Sequence, residues 1–372
     1  MKLETERRLR ALDAAKVDGP ASSTDGNLMV FDGTTGKLAK DGGAPFRKNR
    51  LVDGAFQFNS AAPATNADDT YANDTWYVLT QSNPIAVSTL SDVEDGLPKM
   101  ARLTQSNATG QRMGYAQIIE GNNCKDLRGQ TVTFKIGRYR YSNAAAVRFA
   151  VLEWTGTEDS VTSDVVLDWT STTYTANNFF LAANLTVSGV TSATPSAATL
   201  TTGPELTVTL GSSFNNLIVF VWTEGAAAQN STLDLGKAQI EASSIATAFE
   251  WLPYTQVQQL CERYLPVFNS GGTASIFGFG GCNSATRALV AYFPKVKMRI
   301  APTGITVSNG THFSVSSAGV NTACTAVSVS SSQSVNVLLI NFDVAAGLTA
   351  GNAAFSYSNN ASGQIIVTGC QL

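Results

Sequence analysis

Eight acidic residues lie close enough along the chain to suggest the paired carboxylates of a glycosidase. Such enzymes place two carboxyl groups beside a glycosidic bond, one as acid and the other as base or nucleophile. Most of the eight fall in segments of turn composition, where sequence does not fix the distance between two side chains; they are Asp92, Glu94, Asp95, Glu153, Glu158, Asp159, Asp164 and Asp168. We therefore predict a protein without enzymatic activity or cofactor, and keep polysaccharide cleavage as an open alternative.

Two further patterns have the residue types of catalysis but not its context. The single histidine, His312, lies in an alternating segment beside a turn, and no nucleophile motif accompanies it. The glycines of Gly278–Gly281 resemble a phosphate-binding loop, but no helix follows to supply the N-terminus that such a loop needs. We predict a surface or interface histidine and a turn or bulge in a strand.

Aromatic side chains are the other candidates, because sugar rings stack on exposed aromatic faces. Trp169 and Tyr174 lie in a Thr- and Ser-rich tract and are our first candidates for contact with a glycan. Tyr139 and Tyr141 alternate with arginines, so one face of that strand could contact a glycan, a neighbouring chain or only solvent. The remaining tryptophans are predicted to be core: Trp76, Trp154, Trp222 and Trp251.

Composition narrows the classes of function. Charged residues make up 14% of the 372 residues, against about 25% in ordinary soluble proteins. A surface with so few charged residues favours an oligomer, because contact with other copies would cover its uncharged part. The formal charge of −3 argues against binding to nucleic acid, which needs a surface rich in lysine and arginine. The first residues are charged rather than apolar and no apolar run approaches about 20 residues, so we expect neither a signal peptide nor membrane insertion. Five cysteines without metal-ligand spacing indicate buried free thiols and no metal site.

These residues must be positioned by β-structure, because short alternating runs separated by polar turns fill most of the chain. We predict an all-β fold with a short N-terminal helix at 1–20, a flexible neck with a small hairpin at 21–48, and a jelly-roll sandwich at 49–253. A linking helix at 254–266 and a second β-sandwich at 267–372 follow. The N-terminal helix is too short to be stable alone, so we expect it to dock on a partner through apolar residues: Leu3, Leu9, Leu12 and Val17.

The linking helix has the clearest local pattern. Val257, Leu260, Cys261 and Tyr264 fall at i, i+3, i+4 and i+7, so they share one apolar face. Pro266 ends the helix. We predict that this face packs between the two β-domains.

The segments around the helix resemble tailed-bacteriophage fibre and spike proteins. Those that carry the resemblance are Gln239-Ile240-Glu241, Ala248-Phe249-Glu250, Trp251, Pro253-Tyr254, Leu260–Tyr264, and further out Asn49–Phe56, Asn73–Trp76 and Phe293–Thr303. One departure is that Ala248 directly precedes Phe249, with Ala246 as the spaced alanine. The resemblance covers roughly residue 49 to the last residue.

The resemblance implies a homotrimeric virion fibre, assembled in the bacterial cytoplasm and fixed to other virion proteins by its N-terminal segment. Its jelly roll, similar to a carbohydrate-binding module, and its distal β-domain would adhere to host surface polysaccharide. Jelly rolls of this kind also bind calcium, which makes Asp53 and Asp234 weak candidates for ligands. A head fibre or capsid decoration protein and a polysaccharide-degrading spike remain alternatives.

Overall fold

The computed structural model describes residues 29–32, 38–41, 47–94 and 96–372. Met29–Asp32 (β1) and Leu38–Asp41 (β2) pair antiparallel, which confirms the predicted hairpin. The proposed helix at 1–20, with Leu3, Leu9, Leu12 and Val17, lies outside the described residues.

The first β-module is an antiparallel two-sheet sandwich, so the all-β prediction is confirmed. One sheet has six strands in the order β10-β9-β12-β7-β4-β3, and the other has five in the order β11-β8-β13-β6-β5. The strands are β3 Thr70–Ala72, β4 Trp76–Thr80, β5 Ala86–Glu94, β6 Leu97–Thr104, β7 Met113–Ile119, β8 Thr131–Tyr141, β9 Val147–Trp154, β10 Leu185–Ala193, β11 Glu205–Thr209, β12 Asn216–Thr223 and β13 Thr232–Ala242.

Apolar side chains from both sheets meet in a core that follows strand alternation. Trp76 lies at its centre, fully buried as predicted, with its ring centroid 4.9 Å from Phe56 and 5.5 Å from Tyr115. These three aromatic rings belong to one apolar cluster between the two sheets.

A second apolar layer covers the outer face of the six-stranded sheet. Trp222 and Phe220 stack on this face at 4.7 Å, and residues 155–184 run across it and bury Phe179 and Phe180 against them. The Thr- and Ser-rich tract that contains Trp169 and Tyr174 is therefore the cover of a sheet. Only the outer face of the five-stranded sheet keeps a polar surface.

Helix α1, Tyr254–Glu262, continues this cover. Val257, Cys261 and Tyr264 are buried against the six-stranded sheet, while Leu260 is half-buried at the edge of the same cluster. The spacing of the apolar residues thus identified the packed face, but the predicted helix 254–266 is too long. The helix ends at Glu262, so Tyr264 lies beyond it and Pro266 does not end it. Among the described residues there is no helix with the length and apolar character that a membrane crossing needs.

The second module is a closed six-stranded barrel beside a three-stranded sheet, so the prediction of a second sandwich is wrong. The barrel order is β15-β16-β20-β19-β18-β21, and the sheet order is β14-β22-β17. The strands are β14 Val267–Asn269, β15 Ile276–Ser284, β16 Arg287–Tyr292, β17 Gly304–Val307, β18 Phe313–Ser317, β19 Val320–Val329, β20 Leu338–Val344, β21 Ala353–Ser358 and β22 Gln364–Thr368. Glycines in β15 and a register shift between Ile276 and Gly278 let that strand bend, and closure removes the exposed edges of a sandwich.

Polar contacts join the two modules. Arg263 donates to Glu120 at 2.5 Å, and the Tyr264 hydroxyl donates to the same carboxylate at 2.7 Å. Tyr77 donates to the carbonyl of Leu372 at 2.6 Å. The first two bonds hold the segment after α1 against the sandwich, and the third holds the residue that ends the second module.

Candidate functional site

The candidate site lies on the polar outer face of the five-stranded sheet. In β8, Phe134 and Ile136 point into the core, and Lys135 between them points outward. In β13, Ile240 points inward, and Gln239 and Glu241 on either side face away from the core. Strand alternation alone therefore lines this face with hydrogen-bonding and charged groups.

A groove of about 260 Å³ crosses this face, and we call it the outer groove. Its floor is formed by the middle of β8 and β13, including Lys135, Arg138 and Lys237. Residues 246–249 form one wall, and Thr202 lies at the other side. The groove is partly open to solvent, so a ligand can reach its lining from outside.

The wall is held by the pattern Gln-x-Glu at the end of β13, formed by Gln239 and Glu241. The Gln239 side chain accepts a hydrogen bond from the backbone N–H of Glu250 at 2.8 Å. Glu241 accepts from the backbone N–H of Thr247 at 2.8 Å and from its hydroxyl at 2.6 Å. Glu250 in turn accepts the backbone N–H of Asn49 at 2.8 Å. Gln239 and Glu241 thus shape the groove as structural residues.

Trp251 and Phe249 form an aromatic pair at one edge of the outer groove, where Phe249 belongs to the lining and Trp251 lies just outside it. Their ring centroids are 4.9 Å apart in an edge-to-face arrangement, and Trp251 is 44% exposed. The prediction that Trp251 is core is wrong, because it lies in an irregular segment beyond β13 that no second sheet covers. Trp76, Trp154 and Trp222 are buried as predicted.

Lys237 reaches the rim through a local irregularity in β13. On the side of β13 away from β8, residues up to Leu235 pair with β6. Beyond this point β6 is replaced by the segment near Gly54, whose carbonyl accepts the Ala238 N–H at 2.7 Å. At this change Lys237 adopts φ +57°, and its ammonium nitrogen lies 5.7 Å from the Trp251 ring centroid. A Cβ on Gly137 would lie 2.8 Å from the Lys237 Cβ, so the neighbouring strand needs glycine there.

Ion pairs order the cations of the floor. Lys135 lies 2.8 Å from Glu205, and this hydrogen bond lowers the pKa of the Glu205 carboxyl. Arg138 lies 2.6 Å from Glu94 and also donates to Thr202 at 2.7 Å. These partners fix the two cations in place while leaving them partly exposed, at 25% and 38% of their side-chain surface.

The two aspartates suggested for calcium do not fit a metal site. Asp234 is fully buried and lies 2.7 Å from both Arg102 and Arg140, so its charge is already balanced by two cations. Asp53 accepts backbone N–H groups at 2.7 and 2.8 Å, and burial raises the pKa of its carboxyl well above the usual value. The described part of the chain has no cluster of three or more histidine, cysteine or acidic residues able to hold a metal ion.

Of the four predicted glycan contacts, two lie on the covered sheet. Trp169 is half-buried with its ring 5.8 Å from Phe179 and 6.0 Å from Phe220. Tyr174 is half-buried beneath the guanidinium of Arg148, 3.8 Å from the ring centroid. Both rings fill the apolar layer over the six-stranded sheet, away from the outer groove.

The other two lie in the core. Tyr139 and Tyr141 are each 1% exposed and point between the sheets, so contact of these rings with a glycan is excluded. In this strand the tyrosines face the core, and Arg138 and Arg140, which alternate with them, face outward. Arg138 lines the outer groove, and Arg140 balances Asp234 beside it.

The described carboxylates suggested for glycosidase chemistry have structural partners. Glu153 accepts the Gly211 N–H at 3.0 Å, and Glu158 lies 2.5 Å from Lys125. The remaining ones accept hydrogen bonds from nearby backbone or side-chain groups: Glu94, Asp159, Asp164 and Asp168. His312 bonds to the hydroxyl of Ser308 at 2.9 Å in the second module. The five cysteines are buried free thiols, and burial raises the pKa of Cys124 to about 12.

Comparisons with known proteins give only distant matches. No protein-family model matches the chain, and no curated protein matches it. Among solved structures, the enzymatically active domain of tailspike protein 4 of bacteriophage CBA120 is 11% identical with a TM-score of 0.33, over 52% of this chain and 21% of that one. A carbohydrate-binding module, TmCBM61 with β-1,4-galactotriose, is 10% identical with a TM-score of 0.32, over 53% and 100%. A xylan-binding domain of CBM 22 is 12% identical with a TM-score of 0.28, over 49% and 95%. At TM-scores below 0.5 these likenesses carry no weight for function.

Proposed function

We propose that this chain is a non-catalytic adhesive fibre of a tailed-bacteriophage particle that binds bacterial surface polysaccharide through the outer groove. The observation that carries the proposal is the exposed Trp251 at the rim of a polar groove. An exposed indole beside ordered hydrogen-bonding groups suits a sugar chain, because the ring face stacks on C–H groups while side chains bond the hydroxyls.

Adhesion without turnover is supported because the carboxylates at the outer groove are already engaged in hydrogen bonds or ion pairs. Glu241, the acidic residue of the lining in the described part of the chain, is 3% exposed and accepts hydrogen bonds from Thr247 and Gln239. A glycosidase needs two carboxyl groups free to reach one bond. The acidic groups nearest the groove, Glu94 and Glu205, are instead paired with cations.

A homotrimer is part of this proposal and is supported by an apolar surface on the barrel. Phe279 is 66% exposed, pairs in register with Ala291 and lies 6.3 Å from the ring of Phe355. Ile276, 56% exposed, extends the same face. We call these four residues the barrel face, and a second copy would bury them without desolvating a charge. In the trimer, residues 1–43 would attach the fibre to capsid or tail proteins.

The test is binding to polysaccharides purified from bacterial surfaces. A panel of capsular polysaccharides and lipopolysaccharides is embedded in native gels, and retardation of the purified chain is measured with and without Trp251→Ala. We expect retardation by at least one member that the variant loses, with no release of reducing ends. Retardation by none of the panel, or new reducing ends during incubation, contradicts the proposal.

A further inference from the structure

We propose that the outer groove selects acidic polysaccharides, whose carboxylate or phosphate groups bind the cations of its floor. This inference rests on the proposed function and adds the chemical class of the glycan. It starts from the excess of cations over free carboxylates within one small groove.

Three cations face the outer groove from two neighbouring strands. Lys135 and Arg138 come from β8, and Lys237 comes from β13 directly beside them. The one acidic residue of the described lining, Glu241, directs both carboxylate oxygens into the wall, where Thr247 and Gln239 occupy them. An incoming ligand therefore meets these three cations, with the partly exposed carboxylates of Glu205 and Glu94 paired to Lys135 and Arg138.

The ion pairs of the floor leave donors available to a ligand. Arginine carries five N–H donors in a planar fork, and Glu94 and Thr202 engage the Nε and Nη1 groups of Arg138. Lysine carries three donors, of which Lys135 directs one to Glu205. Both side chains are held in place before a ligand arrives, which lowers the entropy cost of binding an anion.

Lys237 and Trp251 combine the two features that an acidic sugar needs. The ammonium group lies 5.7 Å from the centroid of the indole ring, so a sugar stacked on that ring would place its substituents near the charge. A neutral sugar would use the ring and hydrogen bonds from the polar lining, without an ionic contact. An acidic sugar would use the ring and the ammonium group together, and this predicts a difference in affinity between the two.

The adjoining strip of the sheet has the same sign of charge. Arg102 and Arg140 share the single carboxylate of Asp234, which leaves one excess positive charge next to the groove. The whole chain carries a formal charge of −3, so this face is positive against an acidic background. Such a local field attracts polyanions and weakens as salt rises.

The experiment compares each polysaccharide of the panel with a chemically neutralised form of itself. Uronic acids are reduced to the neutral sugars, and phosphates are removed enzymatically. Affinity is then measured by titration at about 0.05 M and about 0.5 M salt, because the Debye length falls from roughly 14 to roughly 4 Å between these concentrations. We expect about a tenfold loss of affinity on neutralisation, and a loss with salt only for the acidic form. Equal affinity for both forms overturns the inference and leaves the proposed function standing. Binding to no member of the panel overturns both.

Charge variants provide the second arm. Lys237→Gln and Arg138→Gln are each expected to weaken binding of the acidic form by about threefold to tenfold, and to weaken binding of the neutralised form by a smaller factor. Lys237→Arg should retain binding of the acidic form. Lys297→Gln, an exposed lysine in the second module, is the matched control and should change nothing. Wild-type affinity of Lys237→Gln and Arg138→Gln for the acidic form contradicts the assignment.

Discussion

Replacing Trp251 with alanine should separate adhesion from stability. The indole is 44% exposed, and its partners across the groove rim are the Phe249 ring and the Lys237 ammonium group. An aromatic pair contributes about 0.5–1.5 kcal/mol and an exposed cation–π contact about 0.5–1 kcal/mol. The variant should therefore lose only about 1–2.5 kcal/mol of the free energy of unfolding and remain folded at room temperature.

The effect of the same substitution on binding should be larger. A central aromatic anchor typically contributes at least about 2 kcal/mol to binding, which corresponds to about a thirtyfold rise in Kd. The assay is titration of those panel polysaccharides that retard the wild-type chain, with unfolding in denaturant measured on the same preparations. Both quantities come from one protein sample, so a folding defect cannot be mistaken for a binding defect.

Trp169→Ala is the matched control, because it removes the same side chain from the covered sheet. Trp169 packs on Phe179 and Phe220, so its loss should cost about 3–5 kcal/mol of stability. The Kd of the folded protein should stay at the wild-type value. Wild-type affinity in Trp251→Ala, or an equal loss of affinity in both variants, would refute the assignment of the outer groove.

Three other predictions test separate parts of the molecule. Burial raises the pKa of Asp74 to about 6, so the protonated carboxyl stabilises the folded protein fully below about pH 4, and this stabilisation is lost as pH rises through 6. The free energy of unfolding should fall by about 3 kcal/mol over this range in the wild-type chain, and denaturant unfolding should show no such fall in Asp74→Asn. If the barrel face is the proposed trimer interface, light scattering should show a trimer for the wild-type chain and a monomer for Phe279→Lys, which places a charge on that face. Leu167→Lys, 50% exposed on the sandwich, should remain a trimer. Deletion of 1–43 should leave a folded oligomer that is absent from purified phage particles; normal occupancy would rule out the anchor.

The spacing of apolar residues predicted the packed face of the helix and several of the β-strands. The helix face of Val257 and Cys261 follows from spacing alone, because residues three and four apart share a helix surface. The β-strands around Phe134 and Phe220 follow from short apolar runs bounded by turns. In each case the physical cause acts within about ten residues, so it is visible in a single segment.

The closure of the barrel had no such signal. It depends on pairing of β15 with β21, which brings Phe279 beside Phe355 across a long stretch of chain. A sandwich and a barrel can be built from the same alternating strands, and only these distant pairings decide between them. The second module was therefore assigned correctly as β and incorrectly as a sandwich.

The candidate site shows the same limit. Tyr139 and Tyr141 were chosen because they alternate with arginines, but alternation does not say which set of side chains faces solvent. Trp251 was assigned to the core because it follows an apolar strand. A signal was present in its spacing, since Phe249 lies two residues earlier and an extended segment places such residues on one side.

The most direct test of the account is hydroxyl-radical footprinting of the chain with and without a bound polysaccharide from the panel. If the outer groove is the binding site, modification of Trp251 and Phe249 falls when the polysaccharide binds, while Trp169 and Tyr174 keep their reactivity. Protection of Trp169 and Tyr174 with Trp251 unchanged would place adhesion on the covered sheet and contradict the account.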